Sequence, residues 1–83
     1  MELKDLSQLR KYIAVNNVNV AVVPVDGLFG GYNVIFISDG YKFGLSTQKR
    51  NDRNVSLREF SSVDTAITVL KKVGIKGKIS LML

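Results

Sequence analysis

The chain has 83 residues, of which 46% are hydrophobic, and it carries a net charge of +5. This length makes one domain that buries about 60–65% of its unfolded surface, and the hydrophobic content is too high for a disordered chain. The sequence contains neither cysteine nor histidine, which excludes disulfides, thiol nucleophiles, imidazole bases and nearly all zinc chemistry.

Hydropathy and charge distribution add two expectations. No run approaches the ~18 apolar residues of a membrane span and the N-terminus lacks a signal-peptide pattern, so we expect a soluble, cytoplasmic protein with no membrane partner. The positive charge is concentrated in residues 41–83, which hold nine basic and three acidic side chains. This asymmetry indicates an anionic partner, most often nucleic acid, but a lysine-rich solvated surface explains it equally well.

The first 31 residues predict a helix, a strand and a loop. Leucine and isoleucine at helical spacing indicate an amphipathic helix over residues 3–15. Residues 18–25 are rich in β-branched side chains and predict a strand, with Pro24 at its end or on a sheet edge. The glycine-rich segment 26–31 predicts a loop.

The middle of the chain predicts three more strands. Residues 32–38 carry apolar side chains on both faces of the predicted strand, as expected of a strand at the centre of a sheet. Asp39-Gly40 is a strong hairpin signal, and it leads into an alternating strand over residues 41–48. After a polar, basic turn the chain returns as a strand over residues 55–60, which we expect to be antiparallel to the preceding one.

A helix and a strand complete the pattern. The helix is capped by Ser61 or Ser62 and ends at Gly74, with an apolar stripe that includes Leu70. Burial of this stripe predicts that Leu70→Ala costs about 2–5 kcal/mol. Residues 78–83 predict the last strand. The sequence therefore predicts a single α+β domain over residues 1–83, two layers deep, in the order α-β-β-β-β-α-β. Its sheet is mainly antiparallel, with four or five strands and both helices on one face.

Two groups of residues are candidate binding sites. The densest basic group could contact successive phosphates; its members are Lys49, Arg50, Arg53 and Arg58. A solvated loop is the competing interpretation. Leu28 and Phe29 on the glycine loop are candidates for a protein contact, or they fold back over the sheet.

Other groups have a stronger structural explanation. A second basic group consists of Lys71, Lys72, Lys76 and Lys78, for which stabilisation of the helix dipole is the favoured explanation. Tyr41 and Phe43 could stack on bases, but the alternating strand favours a place in the core. The carboxylates are scattered and most are explained by turns or caps, so we expect no catalytic site, no cofactor and no metal.

Four short motifs follow one another within residues 45–75: Thr47 to Arg50, Arg58 to Phe60, Ser62 to Ala66 and Val73 to Ile75. In these motifs the chain resembles the ParC-like, partition-associated proteins of plasmids and integrative elements. The turn over residues 49–54 is longer than in that pattern. The resemblance implies an accessory protein of a mobile element with a nucleoprotein partner, and it implies no catalytic residues.

Three functional hypotheses remain open from the sequence. The leading one is a non-enzymatic accessory protein of a mobile genetic element that binds DNA or a nucleoprotein complex. The second is a protein-binding inhibitor or adaptor, of the counter-defence type, that acts through Leu28, Phe29 and an exposed sheet edge. The third is homodimerisation through an edge strand without any ligand.

Overall fold

The structure, a computed structural model, describes residues 2–25, 30–47 and 56–81. Within them, six strands form one mixed sheet that packs against two helices, so the predicted α+β class is confirmed. In chain order the elements are β1 (Glu2–Lys4), α1 (Leu6–Val15), β2 (Asn19–Pro24), β3 (Tyr32–Ser38), β4 (Tyr41–Leu45), β5 (Glu59–Phe60), α2 (Val63–Val73) and β6 (Ile79–Leu81).

The N-terminal helix starts three residues later than the sequence pattern predicts. Residues 2–4 form β1, which pairs in parallel with β4. Helix α1 begins after Asp5, whose carboxylate accepts a hydrogen bond from the backbone N–H of Gln8. The Gln8 side chain in turn accepts one from the backbone N–H of Asp5. This reciprocal capping satisfies two donors that would otherwise lack partners, and it fixes where the helix starts.

The strand order across the sheet is β1-β4-β3-β2-β6, and β5 pairs with β3 beside β4. The pairings β1–β4 and β2–β6 are parallel, whereas the three pairings of β3 are antiparallel. The expectation of a mainly antiparallel sheet is therefore only partly met. Strand β3 is central, as predicted, and it is the only described strand that runs against the others.

Each helix connects two strands that point the same way. Helix α1 joins β1 to β2 and helix α2 joins β5 to β6, and both connections cross the sheet in the same direction. Because such crossovers are almost always right-handed, both helices are expected over one face. The core agrees, since Leu9 of α1 and Leu70 of α2 belong to one buried cluster with Phe36 and Phe43 of the sheet.

The two faces of the sheet differ in what covers them. The helices cover the face that carries Val20, Val22, Val34, Phe36, Phe43 and Leu45, all of them buried. The other face, called the open face below, is not covered by either described helix. By strand register, it carries Leu3, Asn19, Ala21, Val23, Asn33, Ile35, Ile37, Lys42, Gly44, Glu59 and Ser80.

The turns and caps of the second half follow the sequence. Asp39 and Gly40 have φ values of 48° and 80°, the left-handed pair that a tight hairpin turn requires. Ser62 caps α2, and Gly74 ends it in the left-handed conformation, as predicted.

The strand predicted over residues 55–60 is shorter, since its described regular part is β5 alone. The expectation that it runs antiparallel to the preceding strand holds only at one antiparallel bridge, between Ser46 and Leu57. For β5 itself the expectation is wrong, because β4 and β5 both pair antiparallel with β3 and therefore run in the same direction.

Candidate functional site

Four lysines lie together where α2 ends and the chain turns into β6. This lysine cluster consists of Lys71, Lys72, Lys76 and Lys78, and all four side chains are exposed. The first two occupy the last turn of α2 and the other two lie in the connection to β6. β2 and β6 are adjacent parallel strands, so they begin at the same end of the sheet. Helices α1 and α2, which lead into these strands, therefore both end there. The cluster therefore marks one end of the molecule.

The connection that carries the cluster is held by backbone hydrogen bonds. The N–H of Gly74 donates to the carbonyl of Lys71 and the N–H of Ile75 to that of Leu70, each at 3.2 Å. This pair of bonds is typical of a Schellman ending, and Ile75 packs against the core as that motif favours. The lysines that flank Ile75 are thus presented from a fixed backbone.

The far side of the connection is fixed to β2. The N–H of Lys78 donates to Oδ1 of Asn19 at 3.0 Å, and the N–H of Val20 donates to the carbonyl of Lys78 at 2.9 Å. Between these bonds, Gly77 lies so close to Val18 that an added Cβ would be 2.1 Å from the Val18 carbonyl oxygen. Only glycine fits this approach, and it sets the path of the chain between the last two lysines.

The charge of the lysine cluster is not neutralised by acids in the described residues. The one ion pair found in residues 2–25, 30–47 and 56–81 joins Lys4 to Glu2, at 3.5 Å. Asp5 and Asp64 lie at the N-terminal ends of the helices, away from the cluster. Asp39 lies at the same end of the sheet, in the turn between β3 and β4, but β2 separates β3 from β6 and Asp39 forms no ion pair with the cluster. The carbonyl end of α2 offsets part of the charge of the last-turn lysines, but Lys76 and Lys78 lie beyond the helix. Positive potential is therefore expected at this end.

The residues that flank the predicted basic tip on either side are described. β4 and β5 pair with the same side of β3, one after the other along it, and so share one strand position in the sheet. The chain therefore leaves the sheet after β4 and rejoins it at β5. The two flanking segments pair with each other: Ser46 bridges Leu57, and the N–H of Thr47 donates to the carbonyl of Ser56 at 2.9 Å. We call 45–47 and 56–58 the hairpin base.

Arg58 is the one member of the predicted basic site that the structure describes. Its N–H donates to the carbonyl of Leu45 at 2.8 Å, and its guanidinium carbon lies 4.8 Å from the centre of the Phe60 ring. Arg58 is half-buried, held against the domain by a cation–π contact. Lys49, Arg50 and Arg53 lie outside the described residues, as do Leu28 and Phe29 of the predicted protein-binding loop.

The structure does not bring Arg58 and the lysine cluster together. Arg58 leads into β5, whereas Lys78 leads into β6, and β3 and β2 lie between these two strands. Three strand spacings of ~4.8 Å separate them by roughly 14 Å across the sheet alone. The two basic regions of the sequence are therefore two surfaces and not one.

An aromatic group at the β1 edge carries the only large pKa shift among the described groups. Nζ of Lys4 lies 5.2–5.8 Å from the ring centres of Tyr12, Tyr41 and Phe43. The Tyr41 hydroxyl donates to Oε2 of Glu2, which lowers the pKa of Glu2 and raises the pKa of Tyr41 to about 12. Phe43 is fully buried, as the core interpretation predicts, so it offers no face for base stacking.

Comparison with known proteins adds no assignment. No family model, curated protein or solved structure matches this chain. In the part of the chain that the structure describes, neither helix has the length and hydropathy needed to cross a bilayer.

Proposed function

We propose that the protein is a non-enzymatic accessory protein that binds the phosphate backbone of DNA through the lysine cluster. The observation that supports this most is the presentation of four exposed, unneutralised ammonium groups at one end of the described chain. Ammonium groups bind phosphates as point charges and carry little sequence information, so the expected binding is largely independent of sequence. This fits an accessory role on plasmid or other mobile-element DNA, alone or in a nucleoprotein complex.

The proposal shifts the centre of binding from the tip predicted from sequence to the end of α2. Arg58 is engaged with the Phe60 ring, which leaves it a less accessible phosphate ligand than an exposed lysine. The remaining tip cations, Lys49, Arg50 and Arg53, would form a second contact region.

A salt titration with matched charge variants tests the proposal. Binding of a fluorescent 20-base-pair duplex is measured by anisotropy between 50 and 200 mM salt. Each phosphate contact contributes about 0.9 to the slope of log affinity against log salt. Lys76→Gln with Lys78→Gln should therefore weaken binding and reduce the slope by about 1.8.

The control removes the same charge elsewhere. Arg10 and Lys11 are exposed on α1, so Arg10→Gln with Lys11→Gln changes the net charge equally. Equal losses in both double variants would show that only net charge matters, which contradicts a defined interface. The same titration of Arg50→Gln with Arg53→Gln decides whether the tip contributes. Absence of binding by the unaltered protein at 50 mM salt would remove the proposal.

A further inference from the structure

We propose that the open face is the surface on which two copies of this chain pack, sheet against sheet, about a twofold axis. The open face has an apolar centre, in which the half-buried Ile35 of the central strand is flanked by two small, buried residues, Ala21 on β2 and Gly44 on β4. None of the residues on this face belongs to the core cluster that the helices cover. The inference concerns association of the protein with itself and does not depend on DNA binding.

The rim of the open face is polar, as in protein interfaces. The exposed side chains of Asn19 and Lys42 lie at one end of the strands and that of Glu59 at the other, beside Asn33, whose amide oxygen is buried. An apolar centre with a polar rim is the usual arrangement of an interface that must also be soluble when unpaired. The apolar centre and polar rim alone would therefore suit several protein partners. The positions of the charged side chains on the face indicate which partner fits.

Those charges fit a second copy of the same chain. Lys42 pairs with Ile37 and Glu59 pairs with Asn33, so they lie two residues to either side of Ile35 along β3. β4 and β5 share one strand position, which puts the two charges at opposite ends of one line. A twofold axis between the sheets, across the strands at Ile35, therefore sets Lys42 over the partner's Glu59 and Glu59 over the partner's Lys42.

The geometry also meets the distance that such packing requires. Sheets that pack face to face lie about 10 Å apart, a gap that a lysine and a glutamate side chain can span together. Among the described strand residues of this face, Lys42 and Glu59 are the only charged ones, so two molecules with a net charge of +5 can meet there with balanced charge. At the axis, Gly44 has no side chain, which leaves room for the Ile35 side chains of the two copies to make apolar contact.

The size of the face sets the expected affinity. Five strand positions at ~4.8 Å and about three residue pairs along them give a patch of roughly 400 Å² per copy. This is within the range of functional patches on single domains but below the ~800 Å² per partner of a standard interface. We therefore expect a reversible dimer with a dissociation constant in the micromolar range.

Charge reversal across the axis provides a specific test, read by sedimentation equilibrium at 150 mM salt. In Lys42→Glu, and separately in Glu59→Lys, both cross-axis pairs become like-charged, so each variant alone should dimerise at least about tenfold more weakly. In an equimolar mixture of the two variants both pairs are again of opposite charge, so dimers should re-form with nearly the original affinity. Both side chains are exposed, so the fold should survive, which circular dichroism checks.

Two further variants complete the test. Ile35→Lys puts two lysines at the axis and should abolish dimers. Lys11→Glu makes the same charge change as Lys42→Glu on helix α1, away from the open face, and with screening over about 8 Å it should leave the affinity within about threefold. The proposal is overturned if the unaltered protein stays monomeric at millimolar concentration, if Ile35→Lys still dimerises, or if the mixture is no stronger than its components.

Discussion

Asn19 and Asn33 both project onto the open face, and their amide oxygens differ in what they bind. Oδ1 of Asn19 accepts a hydrogen bond from the N–H of Lys78. Oδ1 of Asn33 is buried and has no partner among the described residues. A buried acceptor without a donor costs about 1–3 kcal/mol, so the same substitution should have opposite effects at the two positions.

The asparagine pair gives a stability prediction. Asn33→Val removes the unpaired oxygen and places a β-branched residue in a central strand, and it should stabilise the protein by about 1 kcal/mol. Asn19→Val should destabilise it by about 0.5–1.5 kcal/mol, because the N–H of Lys78 loses its acceptor. Urea unfolding at low protein concentration measures both free energies without a contribution from association. Changes of the same sign would contradict the assigned hydrogen bonds.

Tyr41 and Glu2 predict a pH dependence. The pKa of Tyr41 is raised from 10.0 to about 12 because its hydroxyl donates to the Glu2 carboxylate. The stabilising effect of the neutral phenol is complete below pH 10, shrinks as the unfolded chain ionises, and is gone above the folded pKa. The lowered pKa of Glu2 acts in the opposite range: its stabilising effect is present above the ordinary pKa of 4.5 and is lost as the pH falls.

Absorbance at 295 nm during an alkaline titration measures the ionisation of Tyr41. We expect one of the three tyrosines to ionise near pH 12 in the folded protein. Glu2→Ala should bring this ionisation down towards 10.0, and Tyr41→Phe should remove it. A late ionisation that persists in Tyr41→Phe would assign it to another tyrosine.

At the scale of elements, the connection between α2 and β6 depends on two glycines for different reasons. A Cβ at Gly77 would collide with the backbone of Val18, whereas a Cβ at Gly74 meets open space but requires the left-handed φ of 85°. Gly77→Ala must therefore move β6 away from β2. Gly74→Ala leaves the packing unchanged and should lower the free energy of unfolding by roughly 1–2 kcal/mol, because alanine disfavours the left-handed conformation that ends the helix.

Amide hydrogen exchange distinguishes the two effects. The N–H of Val20 is protected by the carbonyl of Lys78, so Gly77→Ala should speed its exchange well beyond the general loss of stability. In Gly74→Ala the exchange of Val20 should follow global stability alone. If Val20 behaves alike in both variants, the close packing of Gly77 on Val18 is not what holds β6 in place.

The elements that sequence predicts best are those whose signals are local. Helix α2 agrees with its prediction because cap, apolar stripe and terminal glycine lie within one stretch. Strand β1 was missed because Leu3 fits the helical spacing of the leucines that follow, while its pairing partner is Gly44, far along the chain. The Asp5–Gln8 pair was a readable local signal for the true start of α1.

The candidate site was predictable in part for the same reason. The lysine cluster comes from one short segment, so its members are neighbours whatever the fold. The relation of Lys42 to Glu59 was not predictable, because it arises from two segments that share one strand position beside β3. The position of Arg58 over Phe60 was likewise set by tertiary packing.

At the scale of the whole molecule, the topology links the two ends of the chain to opposite edges of one sheet. β1 is added beside β4 and β6 beside β2, each in parallel and each after a crossover that spans two intervening strands. Such long-range pairings form late because the chain between them must first be ordered. We expect the β2–β3 and β3–β4 hairpins to form earlier, because they join neighbouring segments, whereas the β3–β5 pairing already joins Tyr32 to Phe60.

The shared strand position of β4 and β5 has a practical consequence. A backbone hydrogen bond between Thr47 and Ser56 closes the hairpin base. The two ends of the segment that connects these residues are therefore held at the sheet whatever the length of that segment. Each doubling of a connecting loop costs only about 0.6 kcal/mol. Natural variants of this chain should accordingly differ in length at this point more than elsewhere, and a foreign epitope grafted between these two residues would be displayed on an intact scaffold.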